Sequence, residues 1–478
     1  MAIEGQSQRK QLDWSGTRKL KGLAIFSRVI GENEHGIYLL RYRNRFLTKQ
    51  VLIERYDNTL NFIGTRPFTM KKARLLRLSI HPDGLLMLFV RQNKANRTME
   101  LYARKLDPSM EPIGKDELLA ETPFLDLYTS KDYFRSAFSA DRKHLMIYSA
   151  QRMKDDKLMV NVKLLDLSLK ISQDYNYALS LEGYGHQLVD LDVDVNGNGY
   201  LIMDEMMFLS KKSYESQYRL YRFLQSDSVI NDFLLGDTNS HLSTPVFAED
   251  RKHGEMKVMA WESPAHKDKF NRAYCFRLSY NQTDKSYQQF TFLPPDVLNA
   301  EDEETEIDND GFLMDFEILK VVNRSDGGSI IIAESSVVRS EEDVYYVNGL
   351  PHTSAKNIYN YDDIIVINLD SSGALDWSKI VPKSQSSIND GGYFSSVVVG
   401  TTPKGIHILY NENLRDNGEV IHYTIALNGK SKSEKLFSSQ SEYVVIIPPE
   451  SLQVSSNKLL IPSSKNRKFA LLKITYLP

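Results

Sequence analysis

Asp194-Val195-Asn196-Gly197-Asn198-Gly199, followed by Glu205, has the residue types and spacing of a calcium loop, with Asp and Asn oxygens at alternate places, glycine sixth and glutamate twelfth. In the helix-flanked version of that loop the chain curls so that the last glutamate returns to the ion. Tyr200 to Glu205 reads instead as an extended strand, and at about 3.3 Å per residue Glu205 is carried roughly 20 Å from Gly199. Strand-borne calcium hairpins use an acidic ninth residue, and the ninth here is Ile202. What remains is Asp194, Asn196, Asn198 and a carbonyl, a weak calcium-loop candidate whose other reading is a tight turn between strands.

Two further segments have side chains suited to binding. The acidic run Glu301 to Asp310 includes Glu303, Glu304 and Asp308, carboxylates for a cation or a basic partner, or for the solvated face of a loop. The stretch from about Val337 to Asp362 carries Tyr345, Tyr346, His352, Tyr359 and Tyr361. Tyrosines combine a large apolar area with a polar tip, which suits a protein interface, although an elongated hairpin packed on its own sheet accounts for them equally.

Catalytic motifs are missing. The chain has no Gly-x-Ser-x-Gly elbow, no His-Glu-x-x-His, no Gly-x-x-x-x-Gly-Lys and no paired cysteines, and its ten histidines are scattered singly. No catalytic or cofactor-binding residue is assigned, and calcium is the one ion considered. Two carboxylates brought together from distant strands remain the open enzymatic route.

With 59 basic and 62 acidic residues the net charge is −3, which offers no footprint for nucleic acid and no polybasic membrane patch. Cys275 is the single cysteine, so intramolecular disulfides and multi-thiolate metal sites are excluded. No run approaches the roughly 18 apolar residues of a membrane span, so no transmembrane segment is expected. The polar opening, Met1 to Leu12, implies a cytoplasmic protein if taken literally, or the flexible start of an exported chain whose leader lies outside this sequence.

The elements that must position these residues are strands. A short strand, a turn rich in Asp, Asn and Gly, a second strand, a polar loop and a third strand recur along the chain. The clearest first turns are His81-Pro82-Asp83-Gly84, Asn196-Gly197-Asn198-Gly199, Ser325-Asp326-Gly327-Gly328 and Thr402-Pro403-Lys404-Gly405; with four weaker ones they mark eight units. The last unit stops after its third strand, Phe469 to Tyr476. Leu12-Asp13-Trp14-Ser15, near the start, repeats the outer-strand segment Leu375-Asp376-Trp377-Ser378 without a strand before it. An N-terminal strand completing the last sheet closes a ring and removes exposed edges.

The fold expected is therefore an all-β propeller of four-stranded antiparallel blades, eight in number with seven as the alternative. The blades fall at about 23–67, 75–118, 134–179, 188–235, 244–294, 313–382, 393–437 and 442–476 with 11–20, after a flexible 1–10. In such blades the connection from second to third strand and the connection between blades emerge on one face. The acidic run and the tyrosine-bearing segment should then be neighbours.

Asp363 to Asp370, Gly373, Asp376 to Lys383 and Asp390-Gly391-Gly392-Tyr393 resemble a segment of propeller-type proteins from Bacteroidota. The Asp-x-x-Gly-x-x-x-Trp rhythm is also similar to blades of pyrroloquinoline-quinone dehydrogenases, with no cofactor-site residue to match. The first resemblance implies export to the periplasm or cell surface, and a place beside an outer-membrane machine such as the type IX secretion system. The expectation is a non-catalytic scaffold with a protein partner. The alternatives are a polysaccharide hydrolase or lyase with carboxylates at the channel mouth, and a calcium-dependent adhesin.

Overall fold

Each of the eight turns read from the sequence joins two antiparallel strands in the computed structural model. The structure describes residues 8–19, 26–43, 47, 50–123, 133–153, 155–208, 214–226, 229–237, 240–263, 270–281, 286–293, 313, 315–347, 350–412, 418–438, 445–465 and 467–478. From inside to outside, blade one is Phe26–Asn33, Gly36–Tyr42, Gln50–Tyr56 and Phe62–Thr69, and blade two is Ala73–His81, Gly84–Asn93, Thr98–Leu106 and Pro112–Pro123. Blade three is Phe134–Phe138, His144–Arg152, Lys157–Asp166 and Ile171–Ser180, and blade four is Tyr184–Val193, Gly199–Phe208, Tyr214–Phe223 and Ile230–Leu234. Blade five has a split inner strand, His241–Leu242 and Val246–Asp250, then Glu255–Ser263, Arg272–Ser279 and Ser286–Phe292. Blade six is Phe316–Asn323, Ser329–Val347, Leu350–Leu369 and Leu375–Val381, and blade seven is Val398–Thr402, Gly405–Asn411, Glu419–Ala426 and Ser431–Ser438. Blade eight is Leu452–Ser455, Lys458–Lys465 and Lys468–Tyr476, completed by Lys10–Trp14.

The core is a ring of layers between blades. Eight clusters of buried apolar side chains each join two neighbouring blades, from Tyr38 with Met87 between blades one and two, round to Leu39 with Leu460 between one and eight. Second strands lie sandwiched on both faces, and in Gly36–Tyr42 and Gly405–Asn411 every residue is buried, so apolar residues occupy both faces and alternation is lost, with Arg41, His407 and Asn411 as the buried polar exceptions. Among the described residues no helix is long and apolar enough to cross a membrane.

Closure follows the tetrapeptide echo. Lys10 pairs with Tyr476 and Trp14 with Leu472 in antiparallel register, and beyond them Ser15 N donates to Leu471 O at 2.9 Å while its Oγ accepts from Leu471 N at 2.8 Å. The two echoed tryptophans do related work on outermost strands: Trp377 Nε1 donates to Leu427 O at 3.0 Å, and Trp14 meets Phe437 edge-on with ring centroids 5.2 Å apart. Both contacts reach blade seven, from opposite sides.

The turns are specified by chemistry that repeats. Gly84 and Gly405 occupy one position in two blades at φ +140° and +155°, where a Cβ would come within 2.2 Å of Leu106 O and Ile425 O of the third strand. Asp57, Asp107, Asp166 and Asp370 end third strands, and each Oδ1 accepts a backbone N–H four residues on, from Asn61, Glu111, Lys170 and Ala374. A short acceptor in that place holds the chain out of the ladder and turns it.

Candidate functional site

The tyrosine-bearing stretch is a hairpin. Strands Ser329–Val347 and Leu350–Leu369 pair along their whole length, from Ser329 with Leu369 to Val347 with Leu350. The inner neighbour ends opposite Ser335 and the outer neighbour opposite Ile364, so beyond those points the pair continues as a ribbon. Gln385–Ile388 adds a third strand at its base, against Tyr361 to Ile358. Above that base, Ser340 Oγ donates to Asn357 Oδ1 at 2.7 Å, and Lys356 pairs with Glu341 at 2.8 Å. Val338 is 59% exposed and Ile388 46%.

The candidate residues divide along this ribbon. Tyr345 is paired with His352 and Tyr346 with Pro351 near its tip. Tyr359 and Tyr361 are half-buried at its base, where Tyr361 lies so close that a Cβ on Gly392 would come 2.5 Å from its hydroxyl. Burial, then the Glu334 and Glu317 charges, raises the Tyr361 phenol above its ordinary value. Glu303, Glu304 and Asp308 lie outside the described residues. Asp315 O accepts from Ser336 N at 2.9 Å at the ribbon base, beside a cavity of about 580 Å³ whose lining includes Tyr218, Phe270, Asp315 and Glu317.

The loop at Asp194 uses its carboxylate internally. Asp194 Oδ1 accepts from Asn196 N and Asn198 N, both at 2.9 Å, and Oδ2 accepts from Asn198 Nδ2 and Tyr200 OH, both at 2.8 Å. Asp194 and Asn198 are buried and Asn196 points to solvent, so the three do not converge on one point. Glu205 pairs instead with Arg219 at 3.0 Å on the neighbouring strand. Among the described residues no group of three or more His, Cys, Asp or Glu side chains could hold a metal ion.

Sequence reading misses the channel wall. A bulge recurs in the innermost strands at Val29/Gly31, Leu75/Arg77, Leu188/Asp190 and Ile318/Lys320, where an extra residue interrupts the ladder and re-aims the side chains beyond it. Three of those positions carry a charge: Arg77, Asp190 and Lys320. The signal is visible in retrospect, since two consecutive apolar residues before a charge break strand alternation in Leu75-Leu76-Arg77, Leu188-Val189-Asp190 and Ile318-Leu319-Lys320. Burial raises the carboxyl of Asp190, and burial with the adjacent Asp190 charge pushes Asp192 up to about 7. Lys320 Nζ reaches Val399 O at 3.3 Å and Gln453 Oε1 at 3.4 Å, and burial lowers its ammonium.

A second missed cluster lies at the ring seam. His407 Nδ1 is 3.1 Å from His422 Nε2, the His407 ring stacks on Tyr476 with centroids 3.8 Å apart, and His422 Nδ1 lies 2.8 Å from Lys10 Nζ and 3.1 Å from Glu434 Oε1. Burial, with the neighbouring positive charge, lowers His407 to about 3 and His422 to about 4. These residues are 15 apart in sequence and meet Lys10 only because the ring closes.

No family model and no curated protein matches the sequence. Among solved structures the chain is similar to the polysaccharide lyase Uly1 at 10% identity and TM-score 0.41, covering 100% of this chain and 94% of that one. It is similar to Sqt1 of Chaetomium thermophilum at 11% identity and TM-score 0.41, covering 93% and 95%. It is also similar to the β-propeller domain of the Trilobed protease from Pyrococcus furiosus, at 11% identity and TM-score 0.36, covering 86% and 96%. These likenesses carry no statement about activity.

Proposed function

We propose that this propeller is a non-catalytic interaction module that captures a protein partner with the blade-six ribbon. One observation carries the reading: the two middle strands of blade six continue past both of their neighbours. A two-stranded ribbon gains little stability by itself, and its open edges are templates for strand addition by another chain. A setting in the bacterial cell envelope, beside an outer-membrane machine, belongs to the same proposal and is supported by the resemblance over residues 363–393.

The test is to replace Glu341–Lys356 by Asn-Gly, keeping the Ser340–Asn357 pair as the closing rung, and to compare partners captured by full-length and shortened chains after expression in the native cell. The shortened chain should lose the partner and keep its melting temperature. Retention of the partner rejects the ribbon as the capture surface.

A second reading, a hydrolase or lyase acting on a polysaccharide, is favoured by Asp190 and Asp192. They lie two apart on one inner strand, so their Cα atoms are roughly 6.6 Å apart, within reach of a paired-carboxylate mechanism. Cleavage of a polysaccharide that disappears in Asp192→Asn would establish it in place of the first.

A further inference from the structure

The channel wall at blades one to three, with Leu452 of blade eight, lines a cavity of about 380 Å³, within the range of roughly 300–1,000 Å³ usual for small-molecule pockets. Its lining is unusual in composition. The charged side chains among its described residues are Arg28, Arg77, Arg135 and Arg142, the one neutral polar side chain is Ser136, and the rest, such as Val29, Leu40, Leu75, Leu78 and Leu452, are apolar.

The four guanidiniums are not equally compensated. Arg28 is clamped by Glu450, Nε to Oε2 at 2.5 Å and Nη2 to Oε1 at 3.2 Å. Arg77 Nη1 donates to Ser136 O at 2.6 Å and Arg142 Nη1 to Ser79 Oγ at 2.5 Å, both neutral acceptors, and neither arginine has a carboxylate within ion-pair distance among the described residues. Each guanidinium offers five N–H donors in a planar fork. Burial, then the Arg142 charge, lowers Arg77 below its ordinary value, and burial lowers Arg142. Asp192 acts on Arg77 from blade four, but it is itself held toward its protonated form.

Like charges gathered on an apolar wall raise the free energy of the empty site and lower that of an anion bound in it. We propose that this cavity binds a small organic anion with two acidic oxygen groups joined by an apolar body, its acids meeting Arg77 and Arg142 and its body lying on the leucines. A sugar acid fits less well, because its hydroxyls would face side chains that neither donate nor accept hydrogen bonds. This site is separate from the ribbon and stands independently of the capture reading.

Calorimetric titration of the full chain with octanedioate, glucuronate and inorganic phosphate tests it, alongside Arg77→Gln, Arg142→Gln, Arg77→Lys and the control Arg152→Gln, whose partner Asp156 lies on an exposed turn. Octanedioate should bind about tenfold or more tighter than the other two anions, and each Arg→Gln change should weaken it by about tenfold or more. Arg77→Lys, which keeps the charge, and Arg152→Gln should retain binding. If Arg77→Gln fails to fold, Arg142→Gln at the turn gives the same readout. No heat with octanedioate, equal affinity in the channel variants, or tighter binding of glucuronate or phosphate would overturn the proposal.

Discussion

Acidification should loosen the ring at its seam before it affects the rest of the molecule. His407 and His422 are held neutral, at about 3 and about 4, whereas an unfolded histidine titrates near 6.5. Because the folded values are depressed, stability is complete above pH 6.5 and is lost as pH falls from there toward 4, where only the unfolded chain takes up protons. Between pH 7 and pH 5 each unfolded imidazole gains about 1.8 kcal/mol that the folded one does not, so the pair costs about 3.5 kcal/mol. The titratable neighbours do not cancel this: burial raises the Tyr476 phenol, which keeps its proton, and Glu434, whose burial is outweighed by hydrogen bonds and charges from Lys10 and His422 that lower it, stays ionised. For 478 residues the unfolding entropy is about 1 kcal/mol per kelvin, which converts the loss to about 3–4 °C of melting temperature. Melting curves of wild type and His407→Gln/His422→Gln at pH 7, 6 and 5 measure it. The variant should melt lower at pH 7 but fall about 3–4 °C less on acidification, and the protection of amides in residues 10–14, relative to their intrinsic exchange at each pH, should fall at pH 5 in wild type alone. Parallel pH profiles would refute the reasoning.

Other changes have definite signs. Asp192 is raised to about 7, so its burial costs nothing below pH 4 and progressively more toward pH 8; Asp192→Asn should raise the melting temperature at pH 8 and leave it unchanged at pH 4. Gly84→Ala, which drives a methyl into Leu106 O, should cost about 3 kcal/mol in chemical unfolding, with Gly16→Ala, in open space, as the neutral control. Asp166→Ala removes the acceptor for Lys170 N and Ser168 Oγ and should cost about 1–2 kcal/mol by the same assay.

What was legible in the sequence was whatever depends on local chemistry. Turn residues such as His81-Pro82-Asp83-Gly84 mark the blades because their backbone demands are local, and the repeated Leu-Asp-Trp-Ser exposes closure because equivalent outer strands make equivalent contacts. The ribbon was legible as an insertion with an elongated hairpin as one of two equal readings, and local sequence could not decide between them because Arg339-Ser340-Glu341-Glu342-Asp343 has no apolar alternation and is held by its partner strand. Asp194 shows the converse: residue types suited to an ion serve a turn once both carboxylate oxygens are occupied by hydrogen bonds. Arg77 and Arg142, or His407 and Lys10, come together only after distant segments pack, and nothing in their own neighbourhoods announces it.

The closed ring, and the meeting of Lys10 with the seam histidines, depend on the two chain ends sharing one sheet. Asp13 and Lys473 face each other there in register, at the roughly 5.5 Å between Cα atoms that a disulfide spans. Oxidation of Asp13→Cys/Lys473→Cys, with the native Cys275 buried out of reach, should give an intramolecular bridge, a protein that melts higher and no free thiol on its surface. Thiols that stay free under the same oxidation, or that couple only between molecules, would contradict the closed ring.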